Sequence, residues 1–311
     1  MRLIRIYLDQ KEILSVEKGF VKDSDGGIYN SSYFEIDQKK YLISRVEKND
    51  EHDRKIKHTQ HRPVVFELNE DFTIKSDLDL VYQYDGDIDE RLEELGVDLH
   101  GYQKYRIEDY RVFTWNNELW SNHILNLGRT RPVISKINLQ SKQLEHKKIK
   151  VFKLLQSVEK NWLFFEHNSK LKFIYSISPF IIMSSDDGYE FHKELIQKIP
   201  LHKKYFWSGS TNPVSFDDNT YMFFVHYRDE SKVYCHHLIL MDKKTLLPIL
   251  ISENPVFRKE ETQGVKNGVF YLMSHTKVND TEWVFSFGEG DFNTKLILIK
   301  HEDILNQILS V

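Results

Sequence analysis

Arg106, Glu108, Asp109 and Arg111 fall within six residues, Arg-Ile-Glu-Asp-Tyr-Arg, and lead straight into Val112-Phe113-Thr114-Trp115. An acid set between two guanidinium groups has its ionised form favoured, whereas burial pushes the other way. At the end of a buried strand the group reads in two ways: a structural ion-pair corner, or a carboxyl that moves a proton in a cleft. The other chemistry-bearing residues are scattered. Lys160 lies in Glu-Lys-Asn-Trp, His226 inside the apolar run 220–227, and Asp291 in Gly-Glu-Gly-Asp. A lone His in such a run is either a hydrogen-bonded core residue or one that faces a ligand. His236 and His237 follow Cys235, but neighbours on a strand point to opposite faces, so no metal site is expected there. His52, His58 and His61 lack compact ligand spacing, and the polar stretch 47–62 reads as a surface loop. No metal is therefore expected. The Gly-Glu-Gly-Asp run precedes no helix and is not a phosphate loop.

Such dispersed residues act together only if the fold converges their strand ends. Tyr33-Phe34-Glu35-Ile36 and Tyr41-Leu42-Ile43-Ser44 flank a polar turn and read as a hairpin, as do Val64-Val65-Phe66-Glu67-Leu68 and Phe72-Thr73-Ile74. The pattern continues at 111–115, 133–139, 158–165, 171–178, 220–227, 233–241, 269–275, 283–288 and 296–299. Pro179 stops one return strand, and Asp186-Asp187-Gly188 reads as a hairpin turn. The acidic stretch 85–98 has room for a short helix, and 302–309 reads as a short amphipathic one. Strands approach twenty, and βαβ units are absent, which excludes a doubly wound sheet. Hairpins at this density suit a pair of sandwiches or a propeller, and five blades would take about 62 residues each. No linker divides the chain, so residues 1–311 are read as one domain.

Composition narrows the partners. Lys and Arg number 43 against 47 Asp and Glu, a net charge of −4. That balance lacks the basic excess of a nucleic-acid binder. Aromatic residues make up 13% of the chain, which suits strands and sugar-stacking surfaces alike. The single cysteine, Cys235, permits neither an internal disulfide nor a cysteine zinc cluster. The start is too short and too charged for a signal peptide, and no apolar run reaches membrane-spanning length. A cytoplasmic protein is expected.

Taken in order, several motifs resemble those of glycoside hydrolase family 130, the β-mannoside phosphorylases and hydrolases. Glu108-Asp109-Tyr110-Arg111 is similar to the family's Glu-Asp-Pro-Arg, with Tyr110 at the proline position and without the Gly-Gly that precedes it. Asn30-Ser31-Ser32 and the strand ending at Arg45 resemble its first-blade element. Glu159-Lys160-Asn161-Trp162 resembles its Lys-Asn element. Gly209-Ser210-Thr211-Asn212 and the strand carrying His226 resemble its Gly-rich turn and Tyr-His strand, with Asn212 replacing a small residue or proline. Phe287-Gly288-Glu289-Gly290-Asp291 resembles its last-blade Tyr-Gly-Ala-Ala-Asp.

The resemblance implies an all-β, five-bladed β-propeller with a short C-terminal helix, and inverting glycosyl transfer on β-mannoside-type substrates. Asp109 would be the catalytic acid. Asn30, Arg45, Arg111 and Asp291 would bind sugar, and Lys160, His226 and Arg131 would bind phosphate. Trp162, Trp207 and Tyr227 would offer apolar faces. No cofactor is implied beyond inorganic phosphate, a sugar phosphate or a nucleotide sugar as co-substrate. The partner is an oligosaccharide or glycoside, and the oligomeric state is open, a homo-oligomer included. A hydrolase would need a second carboxylate, with Glu108 and Glu289 as candidates. A non-catalytic carbohydrate-binding propeller is the remaining alternative.

Overall fold

In the computed structural model the described residues are 2–4, 10–16, 27–48, 60–83, 106–126, 130–147, 149–151, 160–202 and 204–309. They form five sheets arranged as the blades of a β-propeller. The chain starts with β1 (Arg2–Ile4) and β2 (Lys11–Val16), then builds the first blade from β3 (Gly27–Ile36), β4 (Lys39–Lys48), β5 (Gln60–Leu68) and β6 (Ile74–Asp79). β7 (Val81–Gln83) leads to the second blade, β8 (Arg106–Trp115), β9 (Glu118–Asn126), β10 (Thr130–Asn138) and β11 (Gln143–Lys147), and pairs in parallel with β11. β12 (Lys150–Val151) does the same on the third blade, β13 (Leu163–His167), β14 (Lys170–Ile177), β15 (Phe180–Ser185) and β16 (Glu190–Gln197).

The fourth blade is β17 (Ser208–Gly209) with β18 (Val214–Ser215), β19 (Thr220–Arg228), β20 (Tyr234–Asp242) and β21 (Pro248–Ser252), with β22 (Phe257–Arg258) on β20 and β1 on β21. The fifth is β23 (Phe270–Lys277), β24 (Glu282–Glu289) and β25 (Asn293–Lys300), completed by β2. Helix α1 (His301–Leu309) follows. The expected hairpins and terminal helix are all present. Pairing runs further than expected into the polar stretch 47–62, because Glu47 and Lys48 still pair with His61 and Gln60. Residues 85–98 and the side chains of His52, His58 and His61 lie outside the described ones.

The core is divided among the blade interfaces, which is why central strands read as apolar on both faces. Phe34, Ile43 and Val65 of the first blade meet Tyr110, Leu119 and Val133 of the second. Phe113 and Trp120 meet Phe164 and Phe173 of the third, and Leu163 and Ile182 meet Phe223 and Ile239 of the fourth. Phe224 and Leu238 meet Phe285 and Phe287 of the fifth. Ile28 and Leu42 meet Val284 and Leu296, which closes the ring. Trp162 and Trp207 belong to these cores, at 2% and 9% exposure. Trp162 stacks on Phe173 with centroids 4.6 Å apart. Tyr227 stacks on Tyr205 at 4.0 Å. The expectation that the two tryptophans face a sugar is thereby corrected: their apolar area goes into packing between strands.

Candidate active site at the propeller axis

The innermost strands are not regular. β3 is bulged between Tyr29 and Ser32, β8 between Glu108 and Arg111, and β23 between Leu272 and Ser274. At the first two bulges Asn30 and Asp109 adopt left-handed backbone, with φ of 52° and 64°, and Asn161 does so at 60° just ahead of β13. Asn and Asp are the non-glycine residues that accept this region most readily. A bulge places two residues against one and re-aims a side chain.

The bulges bring residues of the first two blades into contact. Asn30 Nδ2 donates to Asp109 Oδ1 at 2.7 Å. Beside them Arg45 Nη2 lies 3.6 Å from Glu108 Oε1, with its guanidinium 4.7 Å over the Tyr29 ring. Gly288 of the last blade lies against the Asn30 amide: a Cβ there would fall 2.0 Å from Asn30 Oδ1. Asp109 is half-buried, and Asn30 and Arg45 are buried.

Arg111 crosses the axis. It is 1% exposed and reaches three other blades. Nε donates to the Ser210 carbonyl, and Nη2 donates to Asn161 Oδ1 at 3.2 Å and to the Tyr271 hydroxyl at 2.7 Å. Nη1 reaches the Asp109 carbonyl at 3.4 Å. Four of the five guanidinium N–H groups are thus engaged by protein. Asn161 Nδ2 continues the network to Ser208 Oγ at 2.8 Å. Gly209 lets the fourth blade in, since a Cβ there would sit 2.5 Å from the Asn161 carbonyl oxygen. Asn212, the departure in the Gly-rich turn, also joins blades: it donates to Asn122 Oδ1 at 2.8 Å and accepts from the Phe164 amide at 2.8 Å.

His226 is buried, with Nδ1 2.9 Å from Ser210 Oγ. Burial, then His236, then the charges of Arg111, Lys160 and Arg228, push its pKa well below the ordinary histidine value, so the ring is neutral. Lys160 is exposed yet close enough for its charge to act on that ring. Asp291 lies in the β24–β25 turn, paired with Lys266. Asp109 and Asp291 both act on Tyr234, whose pKa is raised by burial and then by these carboxylates, against an opposing effect of Arg228.

Asn30 thus touches Asp109, Arg45 pairs with Glu108 beside it, Arg111 reaches the Asp109 carbonyl, and Arg111 and Lys160 both act on His226, while Asp291 acts on Tyr234 together with Asp109. Arg131 stands on β10, two strands out from β8, and its side chain lies outside the described ones. Asn161, Ser210, His236 and Tyr271 complete the constellation; in the sequence Asn161 and Ser210 stand in motifs without a role of their own, His236 is weighed only as a metal ligand, and Tyr271 reads only as part of a strand.

Glu289 is fully buried, with Oε1 2.5 Å from Lys259 Nζ. Arg111 also borders a cavity of about 350 Å³ at the other end of the inner strands, walled by Glu35, Thr114, Glu166, Ser215 and Thr276. Among the described residues no three His, Cys, Asp or Glu side chains form a metal-binding group, and no helix is long and apolar enough to cross a membrane.

No family model and no curated protein matches the sequence. Solved structures do match. The β-1,2-mannobiose phosphorylase from Listeria innocua superposes at a TM-score of 0.70 and 14% identity, covering 98% of this chain and 100% of that one. A structure described under the family 130 of mannoside phosphorylases, as containing glycoside hydrolases that target β-1,2 mannosidic linkages in Candida mannan, gives 0.68 and 12%, covering 95% and 96%. A mannose phosphorylase from Leishmania mexicana, in complex with a phosphate ion, gives 0.58 and 14%, covering 93% and 88%. The fold is that of the family 130 mannoside phosphorylases. At these identities the likeness is one of fold, and Tyr110, at the position of the motif's proline, is fully buried between two blades, with its carbonyl accepting from Ser32 Oγ.

Proposed function

We propose that the protein is a carbohydrate-active enzyme that catalyses inverting glycosyl transfer on β-mannosides, with phosphate as the nucleophile and Asp109 as the acid. The observation that carries this reading is the contact of Asn30 with Asp109 at the axis. The Asn30 amide occupies Oδ1 at 2.7 Å, which leaves Oδ2 to carry the proton that the leaving oxygen needs. Inversion requires a nucleophile on the opposite face of the sugar. Phosphate is anionic on arrival and needs no second carboxylate. Lys160 offers it a cation, and the Arg45–Glu108 pair beside Asp109 suits sugar hydroxyls.

Hydrolysis is the second reading, because Glu108 is 28% exposed and adjacent to Asp109. Glu289 is spent on Lys259 and does not support it. Transfer from mannose 1-phosphate or a mannosyl nucleotide uses the same acid run in reverse.

The test is product analysis with an oligomannoside, with and without phosphate, and with each mannosyl donor. Mannose 1-phosphate formed only with phosphate is the expected product; free mannose formed equally without it selects hydrolysis. Asp109→Asn should lower turnover by about a hundred- to ten-thousandfold. Turnover within a few-fold of the parent would remove Asp109 from the chemistry.

A further inference from the structure

Ser210 has no exposed surface and sits between two histidines. Its Oγ lies 2.9 Å from Nδ1 of His226 and 3.0 Å from Nδ1 of His236. A hydroxyl has one proton, so it gives to one of these nitrogens and accepts from the other. The far end of the chain sets the direction. His236 Nε2 lies 3.0 Å from the carbonyl oxygen of Phe270. A carbonyl offers only lone pairs, so at that separation Nε2 carries the proton. The Leu272 amide approaches the same nitrogen at 3.3 Å, and the nearer carbonyl decides. Burial holds His236 neutral, with its pKa pushed down to about 3, so its Nδ1 is bare. Ser210 must then donate to His236 and accept from His226. The proton of neutral His226 is on Nδ1, and its Nε2 is a lone pair.

We infer that Ser210 and His236 are positioning residues that hold His226 as a hydrogen-bond acceptor, so the ligand group it takes must bring its own proton: a sugar hydroxyl, or a P–OH of phosphate. The tautomer stands on the hydrogen bonds and on the burial that keeps both rings neutral; the phosphate half rests on the phosphate-dependent reading above. His226 is faced by Tyr234 and His236 of β20, Tyr271 of β23, Arg111 of β8, Lys160 ahead of β13, and Arg228 of its own strand. Asp109 acts on both tyrosines. The three cations oppose a second proton on the ring, so an oxyanion without a proton meets lone pair against lone pair at Nε2.

Nitrogen-15 spectra of the histidine-labelled protein, free of ligand, read the tautomers directly. His226 protonated at Nδ1 alone and His236 at Nε2 alone is the expected result. A proton on His226 Nε2, alone or with Nδ1, overturns the inference. Ser210→Ala should release His226 to the Nε2–H tautomer while His236 keeps its own; an unmoved His226 counts against the relay, and the wild-type spectrum decides even if the variant does not fold.

Calorimetry with inorganic phosphate and sulfate then tests the ligand half. At pH 8 phosphate should bind about tenfold more tightly than sulfate, the worth of one hydrogen bond, because both are then dianions and only phosphate still carries a P–OH. Equal affinities at pH 8 overturn the ligand half. Binding of neither anion overturns the phosphate-dependent reading itself, and the tautomers still decide the assignment of His226.

Discussion

Asn30 does two jobs at one position, and they can be separated. Its amide holds Asp109 Oδ1, and its backbone supplies the left-handed turn of the β3 bulge. Asn30→Gly keeps the backbone and removes the amide; Asn30→Ala removes the amide and strains the backbone. Both should lower turnover by about tenfold, the share of one hydrogen bond. Only Ala should also lower the urea midpoint, by about 1–2 kcal/mol of stability. Equal midpoints for the two variants would show that φ at this position costs nothing. Asp109 was legible in the sequence as an acid between two guanidinium groups ahead of an apolar run, and Asn30 and Arg45 through the motifs that resemble those of family 130. Asn161 stood in another of those motifs, beside Lys160, and could have been found the same way. Tyr271 could not, because it meets Arg111 from 160 residues away and looks like any strand tyrosine. Trp162 and Trp207 were misread because an aromatic on a strand serves packing and stacking equally, and only burial separates the two.

Among the elements, the hairpins were legible because alternation and turn residues are local. The parallel strands β7 and β12 were not, since two or three residues carry no period. Nor was the partner of β2. This early strand pairs antiparallel with β25, Lys11 opposite Leu298 and Val16 opposite Thr294, and Lys295 reaches back to Glu12 at 3.0 Å. The fifth blade therefore owes its outer strand to the other end of the chain, which ties the ring shut. Deleting residues 1–16 would leave β25 as an open edge and remove β1 from β21. The melting temperature should fall by roughly 5–10 °C, equivalent to a few kcal/mol for a chain of this size, and trypsin should cut the fifth blade first. An unchanged melting curve would mean that the ring is held by its blade interfaces alone.

At the scale of the whole molecule, packing each sheet on both faces buries polar side chains that an open sheet would leave wet. Among the described residues five histidines are buried: His123, His226, His236, His237 and His275. Two of them stitch the fourth and fifth blades, His236 to the Phe270 carbonyl at 3.0 Å and His275 to the Met222 carbonyl at 3.0 Å. Burial drives the pKa of His123, His236 and His275 down to about 3 and of His237 to about 4, and His226 well below its ordinary value. In the unfolded chain each titrates near 6.5. Above that pH both states are neutral, and these groups give stability no slope. Between about 6.5 and 4 the unfolded chain binds the extra protons, so stability falls as pH falls, by up to about 1.4 kcal/mol per unit for each histidine. The combined loss from pH 6.5 to 5 should reach roughly 5 kcal/mol or more, a large part of the usual stability of a folded domain. Carboxylates do not explain such a loss: Asp187, held down to about 2 by the Tyr189 amide, Ser185 and the Glu190 amide, weakens only below its unfolded value near pH 4. Urea midpoints should therefore be level from pH 8 to 7 and drop steeply between 6 and 5. His275→Gln, which can keep a donor toward Met222 without a titrating ring, should flatten that drop by about one proton while leaving the plateau near pH 7.5 in place. A midpoint that stays level down to pH 4.5 would mean that these rings are charged or wet in the folded state, and that the blades are held together by something other than neutral histidine.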